Sequence, residues 1–90
     1  MYSIYFLKSV SNGRVYVGYT EKDPKERLQE HLSGSNQWTS RNGPFELMYF
    51  ESYHCKTDAL LREAFYKTGF GRRIRDAILG AVSTKDGSGG

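Results

Sequence analysis

Hydrophobic and polar positions alternate along three segments of the chain, a pattern that is typical of β-strands with one buried face. The segments are YSIYFLKSV at residues 2–10, VYVGY at 15–19 and FELMYFESY at 45–53. The pair Asn12-Gly13 lies between the first two segments. This pair favours a tight two-residue turn with positive φ at both central positions, so we expect the first two strands to form an antiparallel hairpin.

The alternation also predicts which side chains share a face of the sheet. Tyr5 lies on one face of the first strand, and Tyr16 shares a face of the second strand with Gly18. One face of the hairpin is therefore expected to carry two phenol hydroxyls beside a residue that has no side chain. In the third strand, the positions that alternate onto one face are Phe45, Leu47, Tyr49 and Glu51.

The first predicted helix has clear boundaries. Asp23 stands at the N-cap position, and Gly34 is typical of the residue just past a helix end. Arg27 and His31 are four residues apart on this helix. Their side chains are therefore expected to lie side by side on adjacent turns.

Two further helices complete the predicted fold. The second is expected to start at Thr57 or Asp58 and to end at Lys67, before Gly69. The third is expected over residues 72–79. The element order β-β-α-β-α-α predicts an α+β fold in which helices flank a small three-stranded antiparallel sheet.

Composition narrows the class of protein. Ninety residues fit one domain, expected over residues 1–80, and the Gly/Ser-rich residues 81–90 are expected to form a flexible tail. A single cysteine, Cys55, excludes an internal disulfide and suits a reducing compartment. No apolar run is long enough to span a bilayer and no signal peptide pattern is visible, so a soluble, cytoplasmic protein is expected.

The net charge is mildly positive, at +3, with an isoelectric point near 9.1. This charge permits nucleic acid as a partner without requiring it, because such binding depends on where the cations cluster.

Several polar residues also have ordinary interpretations when taken singly. Glu63 and Lys67, four apart on a helix, fit a surface ion pair, and Arg27 and His31 fit a solvated helix face.

Taken together, the motifs have a more specific interpretation. SIY ends at Tyr5, YVG begins eleven residues later at Tyr16, and RLQEH and KTDALLREAFYKTGFGRR follow. These motifs resemble the signature of the GIY-YIG nuclease family, and the resemblance extends over residues 2–79. Within that family the chain resembles the small standalone, UPF0213-type bacterial proteins, whose catalytic module is similar to the amino-terminal domain of the excinuclease C subunit.

The resemblance implies a DNA endonuclease that hydrolyses one strand with a single Mg²⁺ or Mn²⁺ ion. It implies Glu63 as the metal ligand and Tyr16 as the general base, acting directly or through water on the metal. Tyr5 is expected to orient the water, Arg27 to bind the scissile phosphate and His31 to assist Tyr16. The ordinary pKa of a phenol is about 10, so a phenol base needs help from nearby cations or from the metal.

Further residues are candidates for contact with the substrate. Glycine permits close approach of the phosphate chain, an exposed tryptophan can stack on a base, and cationic side chains can bind phosphates. The candidates are Gly18, Thr20, Trp38, Arg41, Lys67 and the arginine cluster of Arg72, Arg73 and Arg75. The ordinary alternatives are a tryptophan that pins a loop to the core and arginines that lie on a solvated helix face.

The chain departs from the family pattern at several positions. Ser3 stands for the first glycine, Glu26 for an arginine and Leu32 for an asparagine, while Lys67 lies in the region of a late asparagine. These departures keep a second function open, that of a weak or inactive nucleic-acid-binding module or an accessory domain in DNA repair or recombination. Expected partners are DNA, branched or damaged DNA included, and a repair protein, with no membrane.

Overall fold

The computed structural model describes residues 1–32 and 44–88. The elements, in chain order, are β1 Tyr2–Ser9, β2 Val15–Thr20, α1 Pro24–Leu32, β3 Phe45–Tyr53, α2 Lys56–Tyr66 and α3 Gly69–Ser88. The three strands form one sheet in the order β2-β1-β3, and both pairings are antiparallel. The predicted α+β class and element order are confirmed, and the division into a domain and a tail stays a prediction.

Each face of the sheet carries its own core. On one face Tyr5, Leu7 and Phe45 are buried, and Leu28 of α1 packs against them. The other face packs against α2 and α3. Its buried residues are Ile4, Phe6, Val17, Ala59, Tyr66 and Leu79. The predicted pair of phenols therefore belongs to the face that α1 covers.

The turn between β1 and β2 is wider than predicted. The Ser9 amide donates to the carbonyl of Arg14 at 2.8 Å, and the Gly13 amide donates to the carbonyl of Ser9 at 3.0 Å. Gly13 has a φ of 74°, and no other described residue, Asn12 included, has a positive φ. The tight two-residue turn is therefore wrong. The Ser9 hydroxyl instead accepts a hydrogen bond from the Asn12 amide at 3.2 Å, which stabilises the longer turn.

A β-bulge in β3 changes the predicted faces of that strand. Leu7 pairs with Leu47, but the preceding residue Phe6 pairs with Tyr49, so Met48 is inserted between two regular pairs. The residues after the bulge consequently swap faces. Leu47 stays on the α1 face. Tyr49 and Glu51 pair with Phe6 and Ile4 and therefore lie on the opposite face of the sheet. The predicted single face for Phe45, Leu47, Tyr49 and Glu51 is therefore wrong.

Helix α3 begins earlier than the sequence predicted. The Thr68 hydroxyl accepts a hydrogen bond from the Gly71 amide at 3.0 Å, so Thr68 caps a helix that starts at Gly69 rather than at Arg72. A Cβ on Gly71 would lie 1.7 Å from the carbonyl oxygen of Phe65. Only glycine allows α3 to start so close to the end of α2. The helix continues to Ser88, beyond the predicted end at Leu79.

Candidate active site

Two phenols converge above Gly18 on the α1 face of the sheet. Tyr5 of β1 lies directly opposite Gly18 of β2, and Tyr16 lies opposite Leu7, so all four share that face. The ring centroids of Tyr5 and Tyr16 are 6.3 Å apart, with 40° between the ring planes. A Cβ on Gly18 would lie 2.4 Å from Cζ and Oη of Tyr5 and 2.8 Å from Cε1 of Tyr16. Gly18 therefore makes room for the Tyr5 phenol, while its contact with phosphate stays a prediction.

Helix α1 brings a cation to these phenols. The Asp23 side chain accepts a hydrogen bond from the Lys25 amide at 2.8 Å, which confirms Asp23 as the N-cap. One turn further, Arg27 donates to Glu30 Oε1 at 2.7 Å and also hydrogen-bonds to the Tyr5 hydroxyl. The Arg27 side chain is 27% exposed. The guanidinium is therefore held at the mouth of the site with part of its donor fork still open to solvent.

The two phenols differ in their surroundings. Tyr5 is only 1% exposed, whereas Tyr16 is half-buried. Burial raises the pKa of Tyr5 to about 12, and the neighbouring Tyr16 adds to the rise, while the charge of Arg27 opposes it. The raised pKa makes the Tyr5 phenol a weaker acid than an ordinary tyrosine. Tyr16 is the phenol with the larger exposure to solvent.

Glu63 lies on α2, which packs against the other face of the sheet. Ala59 and Tyr66 of α2 are buried against that face, and Glu63 lies between them along the helix. In the described sheet β2 is an edge strand, and α2 packs on both β1 and β2. The negative charge of Glu63 contributes to the raised pKa of Tyr5, less than burial and Tyr16 do. Glu63 is thus carried by a helix on the face opposite the two phenols, and its role as metal ligand stays a prediction.

Glu63 also makes the ion pair that its spacing predicted. Its side chain is 22% exposed, and Oε2 lies 3.4 Å from Nζ of Lys67. Exposed pairs of this kind contribute about 0–1 kcal/mol to stability. Because this ion pair is weak, a divalent cation could replace Lys67 as the partner of Glu63.

A cleft of about 250 Å³ opens along β2 beside Tyr16, and we call it the basic cleft. Its lining residues are Val15, Tyr16, Val17, Tyr66, Lys67, Arg72 and Arg75. The predicted candidates Lys67 and Arg72 thus lie together next to Tyr16, whereas Arg73 does not line the cleft. Arg75, the third arginine of the predicted cluster, also lines the cleft. Arg72 and Arg75 are three residues apart, and residues i and i+3 share a helix face.

The remaining candidates have mixed outcomes. Thr20 is 5% exposed, and its hydroxyl accepts a hydrogen bond from the Lys22 amide at 2.9 Å, so it shapes the entry to α1. His31 lies in the last turn of α1, and its side chain is outside the described part of the structure. Trp38 and Arg41 also lie outside the described residues. The roles assigned to these residues stay predictions.

Comparison with known proteins assigns this chain to a protein family. The GIY-YIG catalytic domain family matches residues 1–75, which include both strands of the hairpin, α1, β3 and α2. The chain belongs to the GIY-YIG family. Since this is a family of nucleases, its members act on nucleic acid. The family assignment and the convergence of Tyr5, Tyr16 and Arg27 on one face support each other.

Several small bacterial proteins are similar to this GIY-YIG chain. A UPF0213 protein of Streptococcus agalactiae is 35% identical over 63 residues, which cover 69% of this chain and 70% of the relative. A UPF0213 protein of Staphylococcus aureus is 38% identical over 66 residues, covering 72% and 78%. The predicted likeness to UPF0213-type proteins is therefore confirmed. No solved structure matches the chain.

Within the described residues, no helix has the length and apolar character needed to cross a membrane.

Proposed function

We propose that this GIY-YIG chain is a divalent-metal-dependent DNA endonuclease that hydrolyses a phosphodiester bond. The observation that carries the proposal is the meeting of two phenols above Gly18 with Arg27 hydrogen-bonded to one of them. Two tyrosines that serve only to pack the core do not require an arginine hydrogen-bonded to one of them. Phosphodiester hydrolysis does require a proton acceptor, an oriented nucleophile and a cation for the phosphate.

The two phenols divide the proton chemistry between them. Tyr16 is half-buried and lines an open cleft, and on this basis we assign to it the acceptance of a proton from the attacking water. Tyr5 is buried and its pKa is raised to about 12, chiefly by burial, so its phenolate forms less readily than that of an ordinary tyrosine. Tyr5 therefore donates a hydrogen bond that orients the water or Tyr16, and it does not compete as the base.

Arg27 supplies the phosphate contact. Its guanidinium is already held by Glu30 and Tyr5, which lowers the entropy lost when it binds a phosphate oxygen. Planar guanidinium groups bind phosphate through two parallel hydrogen bonds. His31 lies one turn after Arg27 on α1, and we assign to it the assistance of Tyr16 that the family resemblance implies.

Glu63 is the proposed metal ligand, and the donor set fits a hard, weakly held cation. Among the described residues, no group of three or more His, Cys, Asp or Glu side chains could hold a metal ion. One carboxylate can suffice for Mg²⁺, because this ion keeps several waters and binds through one or two carboxylates plus substrate phosphates. Mg²⁺ or Mn²⁺, when bound, would neutralise negative charge on the phosphate and on the leaving oxygen.

The deciding experiment compares Glu63→Gln with Glu46→Gln in a cleavage assay. Both substitutions remove one negative charge, but Glu46 is exposed on β3, away from the candidate site. With Mg²⁺ or Mn²⁺ and supercoiled, nicked or branched DNA, we expect the wild type and Glu46→Gln to cleave alike. Glu63→Gln is expected to lose about 100-fold or more of the activity, as when one charge-stabilising group is removed.

Two outcomes would contradict the endonuclease proposal. The first is the absence of cleavage by the wild type on every substrate with either metal. The second is equal cleavage by the wild type and Glu63→Gln, since a contaminating nuclease would survive the substitution. Addition of EDTA provides a further control, because it should stop all cleavage that depends on a divalent metal.

A second candidate function is nucleic-acid binding without turnover. The specific observation in its favour is the ion pair between Glu63 and Lys67, which gives the proposed metal ligand a structural role of its own. Glu26 also places a negative charge in the first turn of α1, near a polyanionic substrate. This function predicts DNA binding that falls steeply with salt, that Glu63→Gln leaves intact and that produces no strand breaks.

A further inference from the structure

The basic cleft has the charge and location of a second substrate site. Three of its lining residues, Lys67, Arg72 and Arg75, are cationic, and none of the described residues that line it is acidic. Its remaining lining comes from β2 and from Tyr66, and it includes Tyr16, the phenol proposed as the base. A strand that reaches Tyr16 would therefore pass these three cations.

The cations are available for a new partner. Arg75 donates from Nε and Nη2 to Asp76 Oδ1, at 3.1 and 2.9 Å, and the Asp76 side chain is 63% exposed. Lys67 is 55% exposed and pairs with Glu63 at 3.4 Å. In each pair one partner is more than half exposed, so solvent screens much of the interaction. A phosphate can therefore join or replace these acids at small cost.

The position of Arg75 sets it apart from the other arginines of α3. Its side chain is 19% exposed, so most of it is packed at the cleft wall. An arginine whose side chain is already largely packed loses less conformational freedom on binding than one that extends into solvent. Arg73 is two residues away on the same helix, is exposed and does not line the cleft.

We propose that the basic cleft binds a backbone phosphate adjacent to the scissile phosphate on the same strand, through Lys67, Arg72 and Arg75. This inference rests on the proposed function, which it deepens by giving the enzyme a second point of attachment on the strand. One phosphate at Arg27 leaves the strand free to swing about that contact. A second phosphate at the basic cleft fixes its direction across Tyr16 and aligns the scissile bond.

The test measures the binding of a fluorescein-labelled DNA duplex in EDTA, as a function of salt. Each phosphate contact releases counterions, so losing one reduces the slope of log affinity against log salt by about 1. Arg75→Ala and Arg72→Ala are each expected to reduce the slope by that amount and to weaken binding at low salt about tenfold. Arg73→Ala is the matched control, with the same charge change on the same helix, and is expected to have a smaller effect on both quantities.

Folding and the source of the phosphate are controlled separately. Circular dichroism establishes that each variant is folded. Arg75→Lys retains the charge but loses the forked donor, so it should recover most of the slope with weaker binding. Inorganic phosphate at constant ionic strength is the second arm of the experiment. If it displaces DNA at low millimolar concentration, the cleft is a site for the free anion and the proposal is overturned.

The remaining outcomes separate this inference from the proposed function. Equal losses in Arg73→Ala and Arg75→Ala, or no loss in either, would overturn the cleft assignment whatever the cleavage assay shows. A wild type that binds with the expected slopes but cleaves nothing would support the cleft and overturn the endonuclease proposal. If the wild type cleaves but the Arg72→Ala and Arg75→Ala variants bind unchanged, the endonuclease proposal is supported and the cleft assignment is overturned.

Discussion

At the scale of single residues, Gly18 is the position on which the site geometry depends. The Tyr5 phenol crosses directly above it, and Tyr16 flanks it. The residue types and their spacing already indicated a glycine beside two tyrosines. The structure shows that the glycine is required by the packing of Tyr5, because any side chain there would overlap the phenol.

Gly18→Ala is therefore expected to displace the phenols. The added methyl would meet Tyr5 atoms at 2.4 Å, so Tyr5 or the strand must move, at a cost of about 1–3 kcal/mol in unfolding free energy. Urea unfolding measures this loss. Gly80→Ala is the matched control, because a Cβ there meets nothing within 4 Å. If Gly18→Ala is as stable as the wild type and cleaves DNA equally well, the phenol geometry is not what the site requires.

At the scale of the elements, the junction between α2 and α3 depends on close contact of two backbones. Thr68 caps α3, and Gly71 in its first turn lies against the carbonyl of Phe65 near the end of α2. This contact sets the direction in which α3 leaves α2. The direction matters for function because it brings Arg72 and Arg75 to the same cleft as Lys67.

Gly71→Ala and Gly69→Ala should have opposite effects on stability. A Cβ at Gly71 would lie 1.7 Å from a backbone oxygen, which cannot rotate away, so we expect a loss of about 3 kcal/mol. A Cβ at Gly69 meets nothing within 4 Å, and alanine there should stabilise the helix by about 0.5–1 kcal/mol. Thermal unfolding followed by circular dichroism tests both. A Gly71→Ala variant with an unchanged melting temperature would contradict the close contact.

At the scale of the whole molecule, one carboxylate joins the sheet to α2. Glu51 of β3 accepts hydrogen bonds from the hydroxyls of Tyr49 at 2.7 Å, Tyr53 at 2.6 Å and Tyr66 at 2.5 Å, and from Arg62 Nε at 3.1 Å. Burial alone would raise the pKa of Glu51, but these hydrogen bonds outweigh it and hold the pKa below its ordinary value. The network fixes α2, and with it Glu63, against the sheet.

The network predicts how stability depends on pH. Because the folded pKa of Glu51 is lowered, its contribution is present above the unfolded value of about 4.3 and is lost as pH falls. Burial and Glu51 raise the pKa of Tyr49 and of Tyr53 to about 12, so their contribution is complete below about pH 10 and is lost as pH rises toward 12. The free energy of unfolding should therefore be level between about pH 5 and 9.5.

Glu51→Gln tests the same network by substitution. A neutral amide offers one acceptor oxygen to several hydroxyl donors, so we expect the level stability to fall by about 1–3 kcal/mol. The decline at acidic pH should also weaken. Urea unfolding across the pH range measures both, with Glu46→Gln as the control for lost charge. A variant that matches the wild type at every pH would exclude the network as a source of stability.

Much of this molecule follows from the sequence by itself. Strand and helix positions are local properties, set by alternation, by the Asp23 cap and by glycines, and they were predicted to within a few residues except in α3. The family was also predicted from the sequence, because the signature that includes Tyr5, Tyr16 and Arg27 depends only on residue types at fixed spacing.

Other features were decided only by the tertiary structure. The bulge at Met48 arises from pairing with β1, and it carries Glu51 to the α2 face, where the tyrosine network forms. The position of Glu63 on the face opposite the phenols depends on the packing of α2 against the sheet, and the basic cleft depends on the direction in which α3 leaves α2. Register, edge position and helix direction result from contacts between distant parts of the chain, which a local pattern does not contain.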